Sequence, residues 1–358
     1  MLNNRIDASI DIYDKTSSKF LFQQPLPAFL GGGTAEYSNA AIVQPPYVNA
    51  GEIENKGIEI SISSRNIITK NFRWTSNIIF SHYNNIVKSL NGFPALIGNV
   101  STGFGPQIPA TLTQVGGPVG EFYGYKVKGI IKTTAQLANL AAHPQNVVGV
   151  PSVVSSDRTL SNGIYLGDFE YYGENNNGNS PNTQYALGNP NPDFTYSITN
   201  NFSYKDFDLS IFLNGSQGGK ILNAVNFQIQ GLYGLYQNQL ATTANFWTPA
   251  NPNSTIPTPR SSFGNNNLVM SDRFLESASY LRLQNVRLGY NLPAMWAKYM
   301  AMNHLKAFVS GQNLYVFTKY SGLDPEVGSL NQNPTLQNID YGRYPTPRVI
   351  TFGLNAEF

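Results

Sequence analysis

Three carboxylates in one Asn-rich stretch are the residues of this chain that could bind a metal ion. Asp168, Glu170 and Glu174 fall within residues 167–179, and carboxylate and amide oxygens are the ligands that Ca²⁺ prefers. The stretch lacks the EF-hand spacing, in which Asp or Asn alternates with other residues before a terminal Glu. A calcium site and a solvated Asn-rich loop therefore remain two open interpretations.

A second candidate site consists of aromatic residues in the segment 218–277. Tyr233, Tyr236 and Trp247 lie near many amide side chains. Aromatic rings pack against the apolar faces of sugars, and amides hydrogen-bond to hydroxyls, so we predict that these three residues contact substrate. The alternative is that the aromatic residues form a small core of the segment, because several of them recur at helical spacing.

The sequence shows no catalytic constellation. The histidines His82, His143 and His304 are far apart, and none has a second ligand at metal-binding spacing. Cysteine is absent, which excludes disulfides, zinc ribbons and thiol nucleophiles, and no Gly-x-Ser-x-Gly motif is present. We predict that the protein is not an enzyme and holds no cofactor, with calcium as the one open exception.

Many strands joined by polar loops must position these residues. Charged residues are 12% of the chain and aromatic residues 13%, beside 32 Gly and 22 Pro, which is typical of an all-β protein. The net charge of +2 without a basic run argues against nucleic acid as a partner. Alternation of apolar and polar residues predicts eight strands. They cover about residues 3–15, 52–66, 70–85, 192–204, 206–217, 278–291, 304–317 and 346–358.

The connections between these strands alternate between short and long. Because antiparallel neighbours place alternate connections at the same edge, short turns share one edge and long loops the other. Outer-membrane β-barrels show this asymmetry, with short periplasmic turns and long extracellular loops. The last strand adds to the indication, because it has two clean faces and ends at Phe358. A soluble β-sandwich is the alternative, and the strands at 278–291 and 304–317 are too mixed to assign their faces.

An ordered set of short stretches resembles the SusC/RagA group of TonB-linked outer-membrane transporters. The stretches run from about residue 52 to the end, so the resemblance covers most of the chain. They are Asn55–Glu59, Gly120–Lys126, Gly188–Phe194, Ser203–Leu209, Asn214–Gly218, Ser271–Glu276, Ser279–Asn285, Ser310–Leu314, Lys319–Glu326 and Tyr344–Arg348. The resemblance implies a transmembrane antiparallel β-barrel of 22 strands with long extracellular loops, of which this chain supplies about the last eight strands.

The resemblance also implies a role and partners. Residues 1–358 would be the C-terminal portion of a TonB-dependent receptor barrel domain, and the plug domain and signal peptide of the family are not in this sequence. The implied function is import of large nutrients, oligosaccharide or glycan or peptide, across the cell outer membrane. Implied partners are a SusD-like surface lipoprotein, the TonB complex through the plug, outer-membrane lipid, and the barrel-assembly machinery at Phe358. Family members often carry an acidic, calcium-loop-like segment where Asp168, Glu170 and Glu174 stand.

One alternative keeps the barrel without the transport role. Eight strands are enough to close a small barrel, so the chain could be a self-contained outer-membrane barrel that acts as a binding or adhesion protein. Such closure requires the strand at residues 3–15 to pair with the strand at 346–358. The two hypotheses therefore differ in one pairing that a structure can show.

Overall fold

The computed structural model of the chain describes residues 5–23, 47–49, 51–101, 107–142, 164–172, 184–230, 238–259 and 266–358. The strands in these ranges are β1 (Ile6–Ser18), β2 (Leu21–Gln23), β3 (Tyr47–Asn49), β4 (Glu52–Ile68), β5 (Phe72–Ser89), β6 (Ala95–Val100), β7 (Ile108–Gln114), β8 (Glu121–Gly124), β9 (Val127–Ile130), β10 (Phe169–Tyr171), β11 (Tyr185–Gly188), β12 (Phe194–Tyr204), β13 (Phe207–Gln217), β14 (Lys220–Asn223), β15 (Leu275–Ser277), β16 (Tyr280–Asn291), β17 (His304–Thr318), β18 (Ile339–Asp340) and β19 (Val349–Glu357). The α-helices are α1 (Thr134–Ala142), α2 (Val225–Ile229) and α3 (Ala294–Tyr299). Short 3-10 turns cover Ala241–Asn245, Asn266–Leu268, Asp272–Phe274 and Leu330–Gln332. Within the described ranges, every helix is too short or too polar to span a membrane.

The main sheet contains eight antiparallel strands in the order β1-β4-β5-β12-β13-β16-β17-β19. These are the eight strands that alternation predicts, with ends that differ by a few residues. The prediction of an all-β, antiparallel fold is therefore confirmed. The other strands form small sheets within the long connections.

The main sheet has an apolar face and a polar face. Cross-strand pairing aligns apolar residues into rows, because successive side chains of a strand point to opposite faces. One row of the apolar face contains Ile62, Ile78, Ile198, Leu213, Leu283 and Tyr315. The adjacent row on the polar face includes Ser63, Asn77 and Thr199. Large apolar side chains on the apolar face remain exposed, and Phe352 of β19 is 79% exposed.

A β-bulge explains why two strands have a mixed pattern in the sequence. Phe212 pairs with Asn285 but the next residue, Leu213, pairs with Leu283, so Gln284 is the extra residue in β16. A bulge changes which residues share a face. Leu283 and Leu288 therefore both lie on the apolar face, although one has an odd number and the other an even number.

The strands of the main sheet are joined by short connections at one of their ends and by long connections at the other. We call these two sides of the sheet the short-turn edge and the long-loop edge. The short-turn edge carries the connections at residues 69–71, 205–206 and 292–303, and the last of these contains α3. Trp296 and Tyr299 of α3 are largely exposed. The long-loop edge carries the connections 19–51, 90–193, 218–279 and 319–348.

The buried core lies in the long connections, which pack together as a loop body. One cluster joins Phe122, Leu222, Phe227, Met270 and Phe274 with neighbours from three long connections. A second cluster is largely aromatic; its buried members are Tyr125, Ile130, Phe169, Tyr171, Trp247 and Val269. The main sheet therefore supports a loop body that has its own apolar interior.

The first and last strands of the main sheet do not pair with each other. Among the described residues, β1 pairs only with β4, and β19 pairs only with β17. The self-contained eight-stranded barrel requires those two strands to be neighbours. The structure therefore does not favour that alternative.

Candidate binding cleft on the polar face

A cleft of about 460 Å³ opens where the polar face meets the long-loop edge. Thr195, Ser216 and Tyr280 form its floor on the sheet, while Glu326 and Arg343 of the connection 319–348 lie along its side. Proline rings add apolar surface to the lining, from Pro190, Pro192 and Pro325. The cleft thus combines charged and hydroxyl groups with small apolar surfaces, as ligand sites do.

Strand register creates the floor of the cleft. Thr195 of β12 pairs with Ser216 of β13, and Ser216 pairs with Tyr280 of β16. Each lies at the end of its strand beside the long-loop edge. Three residues that are far apart in sequence therefore form one polar row directly beneath the loop body.

A buried ion pair attaches the connection 319–348 to the sheet. The Nη2 atom of Arg282 lies 2.8 Å from Asp324 Oδ1 and 2.6 Å from Glu326 Oε2. The side chains of Arg282 and Asp324 are only 2% and 5% exposed, whereas that of Glu326 is 40% exposed. The guanidinium therefore links one buried carboxylate to one that faces the cleft.

Asp324 is held in its charged form by several donors. Its Oδ1 accepts a hydrogen bond from Glu326 N at 3.0 Å, and its Oδ2 accepts one from Thr346 Oγ1 at 2.9 Å. Burial by itself raises the pKa of a carboxylate, but these hydrogen bonds and the Arg282 charge together hold the Asp324 pKa below its usual value. Asp324 thereby joins the start and the end of the connection.

Glu326 and Arg343 give the cleft opposite charges. Glu326 Oε1 accepts a 2.6 Å hydrogen bond from the Tyr280 hydroxyl. Arg343 Nη1 donates to the backbone carbonyls of Glu326 and Val327. A guanidinium has five N–H donors, so Arg343 keeps further donors for a ligand. The arrangement can accept and donate hydrogen bonds to a polar molecule.

The predicted calcium ligands lie elsewhere, in the loop body. Asp168 is buried; its Oδ2 accepts from Tyr165 N at 2.9 Å and its Oδ1 from Asn267 Nδ2 at 3.0 Å. Glu170 pairs with Lys128 at 2.7 Å. The described residues contain no group of three or more His, Asp or Glu that could hold a metal ion. Glu174 lies outside the described residues, so calcium binding stays a prediction.

The predicted aromatic contacts are only partly described. Tyr233 and Tyr236 lie outside the described residues. Trp247 is 2% exposed and packs in the aromatic cluster of the loop body, in which Phe169 and Tyr171 are also buried. Its side chain is therefore covered by protein in this structure, and substrate contact by the three residues stays a prediction.

Sequence reasoning did not identify the ion pair or the cleft. One signal was present, because Arg282 stands between Leu281 and Leu283 in a strand. A charge that is buried in a strand requires a partner. The sequence does not say which of 21 acidic residues supplies it.

Comparisons with known proteins match the chain along its whole length to TonB-dependent receptors. No family model matches it. TonB-dependent receptor P3 of Formosa agariphila is 33% identical over 362 residues, covering 100% of this chain and 33% of that protein. TonB-dependent receptor SusC of Bacteroides thetaiotaomicron is 26% identical over 368 residues, covering 100% of this chain and 30% of SusC. The chain thus spans about a third of the length of these curated relatives.

Solved structures show the same fold. The RagAB peptide importer in its open-open state matches with a TM-score of 0.70 at 21% identity, over 99% of this chain and 33% of that one. Its closed-closed state matches with a TM-score of 0.71 at 22% identity, over 99% and 34%. The resemblance to SusC and RagA is therefore confirmed: the chain is homologous along its whole length to TonB-dependent receptors and has the fold of part of a RagAB-type transporter.

Proposed function

We propose that this chain supplies barrel wall and outer loops to a TonB-dependent importer of large nutrients in the cell outer membrane. In this proposal, residues 1–358 are the C-terminal portion of the barrel domain. The cargo is an oligosaccharide or glycan, or a peptide. The protein acts in transport and performs no covalent chemistry on its cargo.

The two-faced main sheet is the observation that carries this proposal. A row of apolar side chains on one face, from Ile62 to Tyr315, remains partly exposed or exposed along its whole length. Lipid hydrocarbon can cover such a face without removing water from polar groups, and the polar face then borders a lumen. Because backbone groups at an open sheet edge are unsatisfied in lipid, β1 and β19 must each pair with further strands.

The cleft on the polar face is the proposed cargo contact within this chain. Glu326 and Arg343 line this cleft, and in the proposed barrel the polar face borders the lumen through which cargo would pass. Tyr233, Tyr236 and Trp247 are the proposed aromatic contacts, and Trp247 requires movement of the loop body to reach cargo. The homology to SusC supports a SusD-like lipoprotein at the outer mouth and coupling to TonB through a plug as proposed partners.

Gene deletion in the source organism tests the proposal. We expect the protein in the outer-membrane fraction, and we expect the deletion strain to lose growth on one class of large nutrient while it grows normally on the corresponding monomers. Complementation with Glu326→Gln plus Arg343→Gln should restore the protein but not the uptake. The matched control is Lys132→Gln, which removes the charge of an exposed side chain in the loop body. Recovery of the protein in the soluble fraction would refute the proposal.

A further inference from the structure

A row of polar side chains interrupts the apolar face near the short-turn edge. Ser64, Ser76 and Asn200 are cross-strand neighbours on β4, β5 and β12. The row on one side of them contains Ile62, Ile78 and Ile198, and the row on the other side contains Trp74 and Phe202. Polar groups between two apolar rows are costly in a membrane and therefore indicate a function.

Hydrogen bonds within this polar row leave one donor group unused. Asn200 Oδ1 accepts from Ser76 Oγ at 2.6 Å and from Trp74 Nε1 at 3.0 Å. Asn66 Nδ2 donates to Ser76 Oγ at 2.7 Å, and Asn66 Oδ1 accepts from Ser64 Oγ at 2.8 Å. The two bonds to Oδ1 fix the orientation of the Asn200 amide. Its Nδ2 group has no acceptor among the described residues, so it can donate to a molecule that lies on the apolar face.

Two lysines lie at the short-turn edge below this row. Lys70 is in the turn at 69–71 and Lys205 is in the turn at 205–206, and the two turns touch through a 2.9 Å hydrogen bond from Lys205 N to Asn71 O. Lys205 Nζ lies 5.4 Å from the Tyr204 ring. Neither lysine has an ion pair with another described residue. The two lysines therefore lie on neighbouring turns of this edge without an ion-pair partner among the described residues.

Aromatic side chains connect the lysines to the polar row. Trp74 and Phe202 stack with ring centroids 5.7 Å apart, and Phe72 pairs with Tyr204 one row nearer the turns. Asn200 and Lys205 are five residues apart, or about 17 Å along an extended strand. The long lysine side chain can extend back along the apolar surface and shorten this interval.

We propose that this patch, made of Lys70, Lys205, Trp74, Phe202 and Asn200, binds one anionic phospholipid. The lysines extend over the stacked rings to bind the phosphate, Asn200 Nδ2 donates to an ester carbonyl one row further from the edge, and the acyl chains continue over the isoleucine row beyond Asn200. This inference rests on the proposed function, because it requires the apolar face to lie in lipid. It goes beyond a general lipid coat, because it assigns a headgroup charge and a place on the sheet.

Lipid titration of the protein purified from its own outer membrane tests the proposal. Native mass spectrometry in detergent would compare phosphatidylglycerol with phosphatidylethanolamine, which share ester groups and acyl chains but differ in net charge. Each basic residue near a membrane surface contributes about fivefold to binding an anionic lipid. We therefore expect Lys70→Gln plus Lys205→Gln to weaken phosphatidylglycerol binding on the order of twentyfold and phosphatidylethanolamine binding less than threefold.

Two further variants separate this site from general electrostatics. Lys298→Gln removes a lysine from α3 at the same edge but away from the patch, and we expect less than a twofold change. Asn200→Leu should weaken binding of both lipids by about the same factor, because the ester carbonyl is common to them. Equal binding of the two lipids by the unaltered protein, or equal effects of the double variant and Lys298→Gln, would overturn the lipid site alone. Binding of neither lipid would likewise overturn the lipid site, whereas failure to recover the protein from the outer-membrane fraction would overturn the proposed function.

Discussion

Replacement of Arg282 by Met should release the connection 319–348 from the sheet. Met approximates the aliphatic part of Arg282 but removes the guanidinium that contacts Asp324 and Glu326. Asp324 then remains as a buried carboxylate without its cation. We expect the connection to open far more often while the strands of the main sheet remain paired.

The size of this effect follows from the exposure of the two carboxylates. The pair with Asp324 is buried on both sides, and breaking such a pair by removing one partner costs about 3–5 kcal/mol. The pair with Glu326 is partly exposed and adds no more than about 1 kcal/mol. Since each 1.4 kcal/mol is a factor of ten, the opening equilibrium should rise at least about a hundredfold.

Amide hydrogen exchange measures this opening directly. Leu330 N and Asn338 N are bonded to backbone carbonyls within the connection, so their exchange rates report how often it opens. Arg287→Met is the matched control, because Arg287 lies on the same strand and face and stacks on Phe308 at 4.5 Å. An exchange rate in Arg282→Met within threefold of the control would refute the idea that this ion pair holds the connection.

Two other predictions test the faces of the sheet and the charge of Asp324. Ile198→Lys places a charge on the apolar face, which costs about 2–4 kcal/mol at the middle of a bilayer. It should reduce the fraction of the protein that resists heat denaturation on gels. Thr199→Lys, one residue away on the polar face, should leave this fraction unchanged, and equal losses in the two variants would contradict the assignment of faces. The pKa of Asp324 is lowered in the folded protein, so its stabilising contribution is present above the ordinary Asp value of about 3.9 and is lost as pH falls through the lower folded value. The protection factors of amides in the connection 319–348, which are exchange rates corrected for the intrinsic effect of pH, should therefore stay constant from about pH 8 to pH 5 and fall only below about pH 4, and Asp324→Asn should remove that fall.

The main sheet could be predicted from the sequence because its information is local. The alternation of Ile58, Ile60 and Ile62 with polar residues is visible in any window of a few residues, and it determines both the strand and its faces. The lengths of the connections then assign each connection to one of the two edges, without knowledge of any contact. The resemblance to a transporter family likewise rests on short local motifs and on their order along the chain.

The cleft could not be predicted, because it depends on register and on contacts between distant residues. One row contains Thr195, Ser216 and Tyr280 only because β12, β13 and β16 pair in this register. The bulge at Gln284 sets this part of the register between β13 and β16. A shift of one residue would turn Tyr280 to the apolar face. Arg282 and Asp324 are 42 residues apart in sequence, and no local pattern connects them.

The main role of the ion pair between Arg282 and Asp324 is to orient neighbouring groups rather than to add stability. An apolar pair of similar volume often stabilises a protein as well as a buried ion pair does, since desolvation offsets the attraction between the charges. An apolar pair, however, would not hold Glu326 with its carboxylate open to the cleft. Arg282 and Tyr280 each bind one oxygen of Glu326 and so fix its orientation. The structure thus uses a buried charge to place an exposed one, which is what a contact site for polar cargo requires.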